Sequence, residues 1–149
     1  MYFLLESLFV GIYTVLIFLF VSYSPIDNVY MRLFSIGFVK HFLGHYLSLD
    51  TYYCNYGDAC VSDKSFSINF HFDFDESRVV KKKSVTTTVN LVLESIGEGV
   101  LFLILGSILS TVLKNRFLLY FSIGFILHTG FELIGVHKKF CQDRCALLE

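Results

Sequence analysis

Four apolar stretches run through the chain, and each is interrupted by a few polar residues. Residues 3–21 are apolar apart from Glu6 and small hydroxyls, and residues 91–113 are apolar apart from Glu94, Glu98 and small side chains. Each reaches the roughly 20 residues that a bilayer core requires. Residues 33–49 carry Lys40, His41 and His45, and residues 117–136 carry His128 and Glu132. Insertion scales penalise both stretches, so they need partners inside a bundle. The pattern predicts an all-α membrane fold of four transmembrane helices, at about 3–21, 33–53, 91–113 and 117–137.

Between the second and third stretches the period changes. In "SFSINFHFDFD", Phe66, Ile68, Phe70, Phe72 and Phe74 alternate with Ser67, Asn69, His71, Asp73 and Asp75, the period-2 signature of a half-buried strand. The β-branched "RVVKKKSVTTTV" that follows predicts a small β-hairpin over 65–89, turning at Glu76-Ser77. An isolated hairpin is marginal, so its aromatic face should lean on the bundle end, the membrane surface or a partner chain. Lys81, Lys82 and Lys83 are either a solvated strand end or a contact for anionic lipid headgroups.

The chain also repeats itself. "FSIGFVKHFLGHYLSLDTYYC", from Phe34, aligns without a gap on "FSIGFILHTGFELIGVHKKFC", from Phe121, with seven identities in 21, and His45 falls on Glu132. "LLESLFVG", from Leu4, matches "VLESIGEG", from Val92. These matches predict a tandem duplication of a two-helix unit, residues 3–60 and 91–145, with the hairpin between the units. A two-span unit returns to its starting side, so both termini and the middle segment should share one face. That face would carry eight cations, Lys64, Arg78, Lys81, Lys82, Lys83, Lys138, Lys139 and Arg144, against Arg32, Lys114 and Arg116 opposite, which predicts a cytoplasmic face. No lysine or arginine precedes Arg32, so the first helix is expected to be permanent and not a signal peptide.

Ionisable groups in membrane helices cost about 2.5 to 3.5 kcal/mol each at the bilayer centre on insertion scales, so they should be buried against one another. His41 and His45, Glu94 and Glu98, and His128 and Glu132 are i,i+4 pairs, each on one helix face, and Glu6 lies one turn into the first helix. Three readings are open for this cluster. It is an interhelical hydrogen-bond network, a carboxylate/histidine site for Fe, Mn or Zn, or a path for protons or small ions. Lys40 is a counter-ion or snorkels. His137, nine residues past His128, should face away and is left out of the cluster.

Cysteines end both units, in "CNYGDAC" (Cys54, Cys60) and "CQDRC" (Cys141, Cys145). They suit two disulfides, local or between units, or a tetrahedral zinc site, although the spacing is not Cys-x2-Cys. Ordinary disulfides would contradict a cytoplasmic face. Hydrophobic residues make up 54% of the 149, with one proline and no tryptophan, and the net charge of −1 argues against a nucleic-acid partner. Phosphate loops, Gly-x-Ser-x-Gly and His-Glu-x-x-His are absent from the sequence, so a non-enzymatic role is expected. Gly97, Gly99 and Gly106 read as small residues that let helices approach.

The Phe/Tyr-rich, proline-poor style, with "KHFLGHYLSLDTYYCNYGDAC" and "FELIGVHKKFC", resembles the small multi-pass membrane proteins of nucleocytoplasmic large DNA viruses. The resemblance implies a place in a membrane beneath a capsid. It also implies access to viral thiol oxidases, which form disulfides on cytoplasmic faces. Expected partners are the lipid bilayer, other membrane or capsid proteins through the hairpin, and further copies of the chain.

Overall fold

Short polar side chains set where the helices begin. In the computed structural model, which describes residues 2–61 and 82–147, the Asn28 side chain accepts from the backbone N–H groups of Tyr30 and Met31. Asn115 accepts from that of Leu118 and Thr87 from that of Asn90. Each occupies one or two of the donors that a helix start leaves orphaned. The elements in order are α1 (Tyr2–Ser22), α2 (Val29–Tyr46), α3 (Leu49–Tyr56), α4 (Asp58–Val61), β1 (Lys82–Ser84), α5 (Thr88–Leu109), α6 (Arg116–Leu133), α7 (Val136–Arg144) and β2 (Cys145–Leu147). Helix α6 begins and ends 87 residues after α2, from 29 to 116 and from 46 to 133.

The four long helices pack as a ring in the order α1, α2, α5, α6, with the closest packing between α2 and α5 and between α1 and α6. Both pairs run antiparallel, since Leu33 of α2 lies by Gly106 of α5 while Lys40 meets Glu98. Likewise Phe18 of α1 stacks on Tyr120 of α6 while Ser7 meets Thr129. Glycines permit the approach, and the two halves match. A Cβ on Gly11 would lie 2.8 Å from the Phe121 ring, and one on Gly99 would lie 2.8 Å from the Phe34 ring. A Cβ on Gly37 would sit 2.8 Å from the Glu98 carbonyl oxygen. Gly97 has open space beside it, so only Gly99 and Gly106 of the three glycines read as approach sites have a close neighbour.

The apolar core fills the end of the bundle nearest the connections 23–28 and 110–115, with Ile17, Phe18, Val21, Leu33, Ile36, Phe102, Leu119, Tyr120 and Ile123 buried together. The outer faces remain apolar as well. Leu5, Phe9, Ile12, Leu16 and Phe20 form an exposed stripe on α1, and Leu93, Val100, Ile104 and Ile108 form one on α5.

Three expectations are corrected. The number of helices long and apolar enough to cross a membrane is two among the described residues, Phe3–Ser22 and Thr88–Leu109. It becomes three only if Arg116–Leu133 and Val136–Arg144 are taken as one span bent by 74°. The four-span plan fails because α2 is 18 residues long and carries Arg32, Lys40, His41 and His45. The helices expected over 33–53 and 117–137 are each cut in two, at Ser48 (φ 58°) and Gly135 (φ 78°). These left-handed residues stop α2 and α6 and start α3 and α7 in new directions.

The hairpin over 65–89 is the third correction. Thr88 and Val89 open α5, and β1 pairs antiparallel with β2, Ser84 opposite Cys145 and Lys82 opposite Leu147. The second arm is thus taken by the C-terminal segment. The expected strand over 66–74, its turn and Lys81 lie outside the described residues, while Lys82 and Lys83 fall in β1.

A polar layer beneath a cysteine cap: candidate functional site

The end of the bundle opposite the core is polar, and its charges are sorted into two groups by the helix pairs. Between α2 and α5, Glu98 takes Lys40 on one oxygen and His41 Nδ1 on the other at 2.8 Å. The other nitrogen of His41, Nε2, lies 3.5 Å from Glu94, whose second oxygen receives Arg144 from α7. Arg144 also donates to the Thr86 hydroxyl at 3.0 Å, which ties β2 and α7 to the start of α5. Lys40 is therefore a counter-ion held 5.5 Å above the Phe102 ring, with its charge inside the bundle.

Between α1 and α6 the arrangement is related but not identical. His128 Nε2 lies 3.6 Å from a Glu6 oxygen, matching the His41–Glu94 separation, while the other Glu6 oxygen accepts from the backbone N–H of Asp58 at 2.9 Å. Glu132 accepts from Tyr53 at 3.0 Å and pairs with His137 Nδ1 at 2.7 Å. Burial, and then the Glu132 carboxylate beside it, pushes the Tyr53 phenol up, so Tyr53 is a hydrogen-bond donor across the physiological range. His45, the residue aligned on Glu132, pairs instead with Asp50 at 2.7 Å.

His137 belongs in this group, contrary to the sequence reading. A continuous helix would have carried it to the far side, but the left-handed turn at Gly135 folds α7 back. The His137 ring comes 4.5 Å from that of His128. Asp50 and Tyr53 were missed for the same reason, since α3 starts only after the turn at Ser48. Arg144 was counted as a surface cation, and it reaches Glu94 because β1 and β2 hold the C-terminal segment against α5.

The four cysteines close the cap over this layer. Cys54 pairs with Cys145 and Cys60 with Cys141 at disulfide distance, with Cα–Cα separations of 5.5 and 5.3 Å, so both bridges join the two halves of the chain. The alternative of local bridges within each half is not adopted. Among the described residues, the His, Cys, Asp or Glu group whose ligand atoms all gather within 4.8 Å is Cys60, Cys141 and Cys145. The carboxylates and imidazoles of Glu6, His41, Glu94, Glu98, His128 and Glu132 do not converge on one point of that size.

A disulfide sulfur is no thiolate, so the bridged cap and a four-cysteine zinc site are alternative states of the same atoms. Comparison of the chain with protein-family models, with curated proteins and with solved structures returns no match.

Proposed function

We propose that this chain is a non-enzymatic integral membrane protein, a structural or assembly component whose apolar outer faces lie in lipid and whose cysteine-capped face meets partner proteins. The observation that carries this reading is the pairing within the polar layer. Glu94, Glu98 and Glu132 each take a cationic, imidazole or phenol partner from another helix, and the four cysteines are taken up in two bridges. Paired groups of this kind fix helix register and hold the cap in place, and they leave little free chemistry for a substrate. The exposed stripes of α1 and α5 support a lipid environment, because a water-facing surface of that size is rare on soluble monomers. The resemblance to small viral membrane proteins supports a membrane beneath a capsid as the setting, with lipid headgroups at Lys82 and Lys83.

One observation favours a second reading, a path for protons. Glu6 Oε2 and His128 Nε2 face each other at 3.6 Å, both buried and both without a hydrogen-bond partner among the described residues. Reconstitution into liposomes separates the readings. The scaffold reading expects no pH-driven proton flux above that of protein-free vesicles, and a lower unfolding temperature for Glu98→Gln. Flux that is present in the wild type and lost in His128→Gln would replace the scaffold with a conductor.

A further inference from the structure

We propose that the cysteine cap has a second, reduced state in which Cys54, Cys60, Cys141 and Cys145 bind one zinc ion as a tetrathiolate site. The proposal stands on the placement of the sulfurs and is independent of the scaffold reading. The two bridges are packed against each other, with Cys60 Sγ 4.0 Å from Cys145 Sγ although these two are not bonded. Zinc–thiolate bonds of about 2.3 Å in a tetrahedron place neighbouring sulfurs about 3.8 Å apart. The Cys60 and Cys145 sulfurs, which are not bonded, already stand at nearly that spacing. The sulfurs of Cys60, Cys141 and Cys145 all lie within 4.8 Å of one another; Cys54 is outside that group but bonded to Cys145, so its sulfur would have to turn inward to complete the cage. Opening each bridge to the spacing of a zinc cage is a movement of roughly 2 Å, within the reach of a χ1 change.

The backbone around the cage does not depend on the bridges alone. Ser84 is paired with Cys145 in the strand ladder, and the Val85 N–H donates to the Arg144 carbonyl at 2.9 Å. Helix α4 packs on α7, which carries Cys141. Access is also graded: Cys54 and Cys60 are buried, at 1% and 8% exposure, whereas Cys141 and Cys145 are half-buried. A reductant and a metal would therefore enter from the side of α7. Lys138 and Lys139 lie in the same helix as Cys141 and add positive charge to an end of the bundle that would carry four thiolates against one Zn²⁺. Thiolates select zinc over the hard divalent cations, which prefer oxygen.

The exchange balances with a phosphine as reductant. Two phosphines and two waters supply four electrons and four protons, both S–S bonds break to give four thiols, and two phosphine oxides leave. Zinc then binds with release of up to four thiol protons. A disulfide form suits an oxidising face and a zinc form suits a reducing one, so the same cap would close the bundle on either side of a membrane.

The test uses the full chain in detergent, reduced with a phosphine in the presence of equimolar zinc, then desalted and analysed for metal, with a parallel sample in cobalt(II). The expected result is one zinc per reduced chain, under one tenth as much in the unreduced chain, and a cobalt spectrum with thiolate charge-transfer and tetrahedral d–d bands. The paired variant Cys54→Ser with Cys145→Ser keeps the other bridge for folding. After reduction it should retain under one tenth of the wild-type zinc. A reduced chain that keeps its helical circular dichroism yet holds no zinc, or gives an octahedral cobalt spectrum, would overturn the proposal. Loss of helical structure on reduction despite the zinc would overturn it too, since a bound metal should hold the cap closed.

Discussion

His45 and Asp50 make the same contact as His137 and Glu132, with acid and imidazole exchanged between the two chain positions. Both are Nδ1 to carboxylate contacts of 2.7 Å that span a left-handed turn, at Ser48 in one case and Gly135 in the other. The contact fastens each short helix to the end of the long helix before it. His45→Glu alone should destabilise the protein by about 1 kcal/mol or more, because two carboxylates would then meet across the turn where a charge-assisted hydrogen bond had been. Combining His45→Glu with Asp50→His rebuilds the arrangement of the other half, and most of the loss should return. Urea or thermal unfolding in detergent of the wild type, both single variants and the double variant measures this coupling. A double variant as unstable as the two losses added would refute the equivalence. That His45 aligns on Glu132 was legible in the sequence, but the meaning of the mismatch appeared only once Asp50 and His137 were placed.

At the level of elements, the glycines separate close approach from mere composition. A methyl group at Gly37 would meet the Glu98 carbonyl at 2.8 Å and the Gly99 Cα at 2.9 Å, both backbone atoms of α5, so the helices would have to move apart. Gly37→Ala should therefore cost about 1–3 kcal/mol, the usual range for overpacking. Gly97→Ala, on the same pair of helices but with nothing within 4 Å, should stabilise by up to about 1 kcal/mol through helix propensity alone. Thermal unfolding followed by circular dichroism tests the opposite signs, and equal effects would mean that the α2–α5 packing is wrong. Sequence reading grouped Gly97 and Gly99 together, because two glycines so close in the chain look alike until the neighbouring helix shows which one it touches.

At the scale of the molecule, the two bridges span 91 and 81 residues and cross from one half to the other. A crosslink over so long a loop restricts the unfolded chain strongly, and removing a native disulfide typically costs about 2–5 kcal/mol. Replacing Cys60 and Cys141 by Ser should lower stability by that amount without reducing agent, and replacing Cys54 and Cys145 should do about the same. Denatured but unreduced wild-type protein should show no free thiol, since no cysteine is free in the fold. Non-reducing gels and a thiol count under denaturant check both statements. Two free thiols per chain would mean that one bridge does not form.

Apolar runs, helix-capping residues and the positions of Glu, His and Cys are local, and the sequence by itself determined them. Two helices long and apolar enough to span a membrane follow from residue order alone, because helix burial in lipid depends on a continuous run of side chains. Which carboxylate meets which imidazole is not local. A change of direction at Ser48 and Gly135 moves Tyr53 and His137 by many ångströms, and hydrogen bonds form only within a few tenths of an ångström. The pairing of β1 with β2 was equally beyond reach, since a three-residue strand chooses its partner by what tertiary packing brings alongside it. The bridge partners were decided the same way. Four cysteines allow three pairings, and only the folded backbone, with Cα atoms 5.5 and 5.3 Å apart, selected the nested one, Cys54–Cys145 around Cys60–Cys141.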